Sequence, residues 1–162
     1  MEREFGADKL FFFKSRPELG IEGYWGEGPV VFISDRPSNP PPGKKSATKR
    51  FSDAYFDALR RHRLEDSHLT DLVKHYPGTG LSRHQRIELN WPFLMEELEI
   101  VNAKIVVAVG SDAFSDLTQR LPSEPFLMPH YSNRYVAAET LRAKIDEVLS
   151  AVDTARTALA MP

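Results

Sequence analysis

Lys104-Ile105-Val106-Val107-Ala108-Val109-Gly110 is the stretch that decides the fold. After the lysine it is continuously apolar, rich in β-branched residues, and it stops on glycine. A strand with one wet face alternates apolar and polar residues. A run without alternation is expected of a strand covered on both faces, as in a parallel sheet. Val30-Val31-Phe32-Ile33 repeats the pattern after Gly28-Pro29 and stops at Ser34-Asp35-Arg36-Pro37. Two weaker stretches, 68–74 (HLTDLVK) and Phe126-Leu127-Met128, complete a set of four candidate strands.

Helical periodicity fills the spaces between them. Phe51, Tyr55 and Leu59 recur every four residues, which predicts a helix over 49–62. Ile87, Trp91, Leu94, Leu98 and Val101 step by four and three, and Ser82-Arg83-His84-Gln85 reads as a capping box ahead of them. Pro92 inside that pattern predicts a kink or a restarted helix. A third helix is expected to open at Ser111 and run to Arg120. The last is expected over about 135–151, with Leu141, Ile145, Val148 and Val152 on one face. Strand and helix thus alternate four times. The expectation is a three-layer α/β/α sandwich around a central four-stranded parallel sheet, as one domain over 1–162 with a fraying tail at 153–162.

In such a sheet the ligand sits beyond the carboxyl ends of the strands. The residues to inspect are therefore 34–38, 71–77, 110–112 and 129–134. Asp35 follows the first strand and is a candidate base, water-positioning group or cation stabiliser; the same aspartate before X-Pro also suits a turn. His130 follows the fourth strand and is a candidate donor to a developing anion, or else a surface loop histidine. The histidines have no metal-ligand spacing, so no metal is expected.

Composition sets outer limits. The 162 residues include 21 Lys+Arg and 23 Asp+Glu, a net charge of −2, and no cysteine. Disulfides, a thiolate-held iron–sulfur cluster and a cysteine nucleophile are thereby excluded. No apolar run approaches the roughly 20 residues of a membrane span. A soluble cytoplasmic monomer is expected. The charge is unevenly spread: between Arg36 and Arg63 stand eight basic residues against Asp53 and Asp57, a local +6, so the remainder carries −8. Lys44, Lys45, Lys49 and Arg50 lie in this stretch beside the first crevice loop and suit a phosphate backbone. A solvated face is the plain alternative. Neither a Walker loop nor GxGxxG is present.

These residues resemble the uracil-DNA glycosylase superfamily. Four segments agree in order and spacing. Residues 30–38 (VVFISDRPS) are similar to its first motif, a strand followed by Gly-Glu-Ala-Pro-Gly in the iron–sulfur branch. Thr70-Asp71-Leu72-Val73-Lys74 is similar to Thr-Asn-Val-Val-Lys. Trp91-Pro92-Phe93-Leu94 with 104–110 is similar to the helix-then-strand signature. His130-Tyr131-Ser132 is similar to the closing His-Pro-Ser. The resemblance implies flipping of a damaged base out of DNA and hydrolysis of its N-glycosidic bond. It implies Asp35 as the carboxylate that positions water and favours the sugar cation, and His130 as the group that stabilises the departing base. It also implies Asp71 and Phe51 at the base, Ser132 at a phosphate, and DNA as the partner. Arg134 is a further phosphate candidate from its position alone.

Departures from the motifs bear on activity. Asn90 stands where the iron–sulfur branch has a ligand cysteine, so no cluster is expected. Tyr131 replaces the proline of His-Pro-Ser, and Ser34 and Ser38 replace both glycines of motif one. Asp71 replaces an asparagine that both donates to and accepts from uracil; an ionised aspartate only accepts. Either Asp71 is protonated, or the pocket reads a base with more donors, or uracil excision is lost. Three readings follow: an active glycosylase, a catalytically silent nucleic-acid binder of the same fold, or a flavodoxin-like phosphate-binding domain.

Overall fold

In the computed structural model the described residues are 17, 20–36, 49–74, 80–130 and 136–161, with side-chain surroundings in the first helix described from Tyr55 onward. Four strands form: β1 (Val30–Ser34), β2 (His68–Asp71), β3 (Ile105–Val109) and β4 (Phe126–Met128). They pair in parallel in the order β2-β1-β3-β4. The register sets Ser34 opposite both Asp71 and Val109, and Val109 opposite Met128. All four carboxyl ends therefore finish along one edge. Every residue of β1 is buried, as its unalternating pattern predicts.

Four helices cover the two faces: α1 (Lys49–Arg61), α2 (Arg83–Ile100), α3 (Ser111–Arg120) and α4 (Ala138–Leu159). Burial divides into two cores. Val30, Phe32, Leu69, Val107 and Met128 pack with Tyr55 and Leu59 of α1 and with Leu141, Ile145, Leu149 and Val152 of α4. Val31, Ile33 and Ala108 pack with Ile87, Leu94 and Leu98 of α2 and Ala113 and Leu117 of α3. Successive residues of a strand point to opposite faces, so each strand feeds both cores. This is the expected three-layer α/β/α arrangement.

Several boundaries differ from the sequence expectation. β2 ends at Asp71, and Leu72-Val73-Lys74 continue as a buried turn whose Leu72 and Val73 amides donate to the Ser34 and Asp35 carbonyls. α2 runs as one helix through the exposed Pro92, without the restart that the proline allowed. The capping box at its start is present on both sides, Gln85 N to Ser82 Oγ and Ser82 N to Gln85 Oε1. α4 starts three residues later than expected and continues through 153–159 rather than stopping near 151. The Arg156 guanidinium bonds to Asp153 and to the Arg63 carbonyl, which fastens that stretch to the body of the fold. Among the described residues no helix is long and apolar enough to cross a membrane.

Candidate active site

The strand order lines up four residues across the carboxyl edge: Asp71 at the end of β2, and Asp35, Gly110 and His130 following β1, β3 and β4. Asp71 is the last residue of β2 and is only 2% exposed. Its Oδ2 is buried with no hydrogen-bond partner among the described residues. Burial pushes its pKa up to about 7; the Lys74 charge opposes this, and the charges of Asp35 and Glu97 add to it. Near neutral pH a large share of Asp71 is therefore protonated, and a protonated carboxyl both donates and accepts.

Asp35 is the first residue past β1, with a part-buried side chain. Its Oδ1 accepts from Arg83 Nε at 3.1 Å and Nη2 at 2.6 Å. Its Oδ2 lies 3.5 Å from Arg36 Nε. Its charge acts on Asp71 from one side and on His130 from the other. His130 sits two residues beyond β4. Burial lowers its pKa below the ordinary histidine value, against a partly compensating pull from Asp35, so the ring is neutral at pH 7.

Gly110 brings His130 in. Its amide donates to the Met128 carbonyl at 2.8 Å, and its φ of +96° is a conformation that L side chains rarely adopt. A carbon added at this glycine would stand 3.3 Å from the His130 Cβ. Gly110 also caps α3, so the turn that opens this helix and the seat of His130 are the same residue.

Behind Asp71 lies a buried polar network. Lys74 Nζ donates to Thr70 Oγ1 at 2.5 Å and to the Asp71 carbonyl at 2.9 Å, and pairs with Glu97 Oε2 at 2.5 Å. Glu97 Oε1 meets His68 Nε2 at 2.5 Å. Burial works to raise the Glu97 carboxyl, but the His68 bond and the Lys74 charge outweigh it and hold Glu97 ionised. Burial lowers Lys74, with Glu97 opposing. Asn90 completes the support: Oδ1 accepts from the Lys74 amide at 3.1 Å, and Nδ2 donates to the Arg86 carbonyl at 2.7 Å. Asn90, where the resemblance puts a ligand cysteine of the iron–sulfur branch, is thus a hydrogen-bonding clamp between α2 and the turn after β2. With its amide committed at both ends and no cysteine in the chain, these residues do not fit a cluster. Among the described residues, no group of three or more His, Asp or Glu side chains could hold a metal ion.

The structure thus brings together Asp35, Asp71 and His130. Lys49, Arg50 and Phe51 open α1, whose side-chain surroundings are described only from Tyr55. Lys44, Lys45, Ser132 and Arg134 lie outside the described residues. The +6 stretch is divided by the topology. α1 must run back from the carboxyl edge of β1 to the start of β2, so Arg60, Arg61 and Arg63 end at the opposite edge. There Arg61 Nη2 pairs with Asp146 of α4 at 2.7 Å.

Sequence reasoning missed Arg83 as part of the site, reading it only as an interior letter of the capping box. It also missed Lys74–Glu97–His68. A signal existed for the latter: Glu97 falls between Leu94 and Leu98 on the apolar stripe, and Lys74 follows a buried Leu-Val pair.

The family model described as the Uracil DNA glycosylase superfamily matches residues 25–155. No curated protein matches the chain.

Proposed function

Because the chain belongs to the uracil DNA glycosylase superfamily, we propose that it is a DNA-repair glycosylase that flips a damaged or deaminated base from DNA and hydrolyses its N-glycosidic bond. The observation that carries this reading is the row Asp71, Asp35, Gly110, His130 along one sheet edge, which sets two carboxyl groups and an imidazole side by side in different surroundings.

The chemistry assigned to each follows from that setting. Heterolysis of the bond between C1′ and the base leaves the electron pair on the base nitrogen and positive charge on the sugar. The Asp35 carboxylate favours the sugar cation and orients the water that adds to C1′, taking up the proton this water releases. Neutral His130 donates an N–H to the departing anionic base. Asp71, in its protonated form, donates to a carbonyl oxygen and accepts from the neighbouring N–H. That pattern suits a lactam edge, which uracil, hypoxanthine and xanthine share. The mismatch expected of an ionised aspartate is then confined to pH above about 7.

DNA is held from the 36–50 side by Lys44, Lys45, Lys49 and Arg50, and from the 130–134 side by Ser132 and Arg134. Phe51 stacks on the flipped base. Flipping costs a few kcal/mol, offset by these contacts. No cofactor takes part, and the protein acts as a cytoplasmic monomer of one domain.

A silent DNA-binding role is the second reading, favoured by one observation: Asp35 Oδ1 is already occupied by Arg83. One assay separates the two. Oligonucleotides containing uracil, hypoxanthine, xanthine or a mismatch are incubated with protein, and abasic sites are cleaved with alkali. The glycosylase reading requires scission that falls about 10²-fold or more in Asp35→Ala and His130→Ala. Salt-dependent DNA binding without scission establishes the silent reading. No binding even at low salt overturns both.

A further inference from the structure

Arg83 is placed against the local preference of its helix. It is the first residue of α2, where the unsatisfied amides carry partial positive charge and disfavour a cation. The capping box on Ser82 and Gln85 fixes the backbone on either side of it. From there the guanidinium spans two other elements. Nε and Nη2 donate to Asp35 Oδ1 beyond β1, and Nη2 also reaches Asp116 Oδ2 of α3 at 2.5 Å and the Asp112 carbonyl at 3.3 Å. The two carboxylates outweigh burial and hold Arg83 firmly charged.

The geometry points to Arg83 as the positioning residue for Asp35: Asp116 and the Asp112 carbonyl anchor its guanidinium, which fixes Asp35 Oδ1 and turns Oδ2, approached at 3.5 Å by the exposed Arg36, toward water and the sugar cation. A lone exposed ion pair contributes little. Here one planar fork joins three elements around a part-buried carboxylate, which determines orientation rather than bulk stability. The Arg83 guanidinium is committed to the two carboxylates and the Asp112 carbonyl, so it has little left to offer a phosphate, and its loss spares DNA affinity. The role in catalysis rests on the glycosylase reading; the strap itself does not.

The test has two arms. In the first, the Arg83 Nε–H signal is followed by ¹⁵N NMR in the DNA-free protein. The strap gives a resolved signal protected from exchange with water, weakened in both Asp35→Asn and Asp116→Asn. An unprotected signal, or one indifferent to Asp35→Asn, overturns the strap whatever the activity. In the second arm, single-turnover excision and DNA Kd are measured for Arg83→Ala, Arg83→Lys and Asp116→Asn. A mispositioned carboxylate lowers the rate of Arg83→Ala by about 10²-fold, with Kd within about twofold. Added guanidinium ion and Arg83→Lys each restore part of the rate. An unchanged rate, or a Kd that rises in step with the lost rate, overturns positioning. Wild-type protein with the protected signal but no excision overturns the glycosylase reading and leaves the strap standing. Asp116→Asn preserves side-chain shape, and rescue by guanidinium ion itself reports a folded Arg83→Ala.

Discussion

Gly110 and His130 stand so close that a Cβ on the glycine would lie 3.3 Å from the Cβ of the histidine, and the glycine holds φ at +96°. Both facts disfavour a side chain there. Gly110→Ala is expected to cost roughly 1–3 kcal/mol from the strained backbone, and to displace His130 by a few tenths of an ångström. Chemical denaturation measures the first. The second appears as a loss of excision rate larger than the loss of folded fraction. A variant that keeps both stability and rate contradicts this account of the turn.

The state of Asp71 gives a pH dependence with a defined sign. Its pKa is raised to about 7, so the carboxyl is protonated below that value and ionised above it. Excision of a lactam base is expected to fall about tenfold per unit as pH rises beyond 7, since only the protonated form donates. Asp71→Asn removes this limb. Stability follows the same group. A folded-state pKa raised above the unfolded value means that stability is lost as pH climbs from the ordinary carboxylate range through about 7. Asp71→Asn therefore raises the melting temperature more at pH 8 than at pH 5. Equal shifts at the two pH values contradict the assignment.

Lys74 and Glu97 are expected to behave as a coupled pair. Removing one partner leaves the other charge buried, and such losses cost about 3–5 kcal/mol. Glu97→Ala and Lys74→Met should each destabilise strongly in urea. The double variant should cost clearly less than the sum of the two. Strict additivity contradicts the ion pair as the organising contact of this network.

Asn90 tests the clamp between α2 and the turn after β2. Asn90→Ala leaves the Lys74 amide and the Arg86 carbonyl without their side-chain partner. The expected loss is about 1–3 kcal/mol. Because the Lys74 turn carries Asp71, hydrogen exchange at 71–74 should quicken more than at β3. Uniform quickening across the sheet contradicts a local clamp.

Much of the architecture is legible in the chain itself. Ile105–Val109 and Val30–Ile33 are apolar without alternation, which demands cover on both faces and hence a parallel sheet. Once the sheet is parallel, chirality and chain direction place Asp35 and His130 at one edge. The Ser82 capping box and the Ser111 helix start are local contacts, complete within four residues, and both are visible in the letters. The extension of α4 to Leu159 was not, because its last turns are fastened by Arg156 to residues more than eighty positions away.

Periodicity and residue type suffice for the layers, the edge and the identity of three polar groups on it. The chemistry of those groups depends on folding. Burial against Lys74 and Glu97 is what shifts Asp71, and no local pattern reports a dielectric environment. Arg83 meets Asp35 across 48 residues and Asp116 across 33, a contact between side chains that sequence spacing leaves undefined. The +6 stretch likewise reads as one patch along the chain, and folding splits it, because a helix returning from one end of a strand to the other carries its two ends to opposite edges of the sheet.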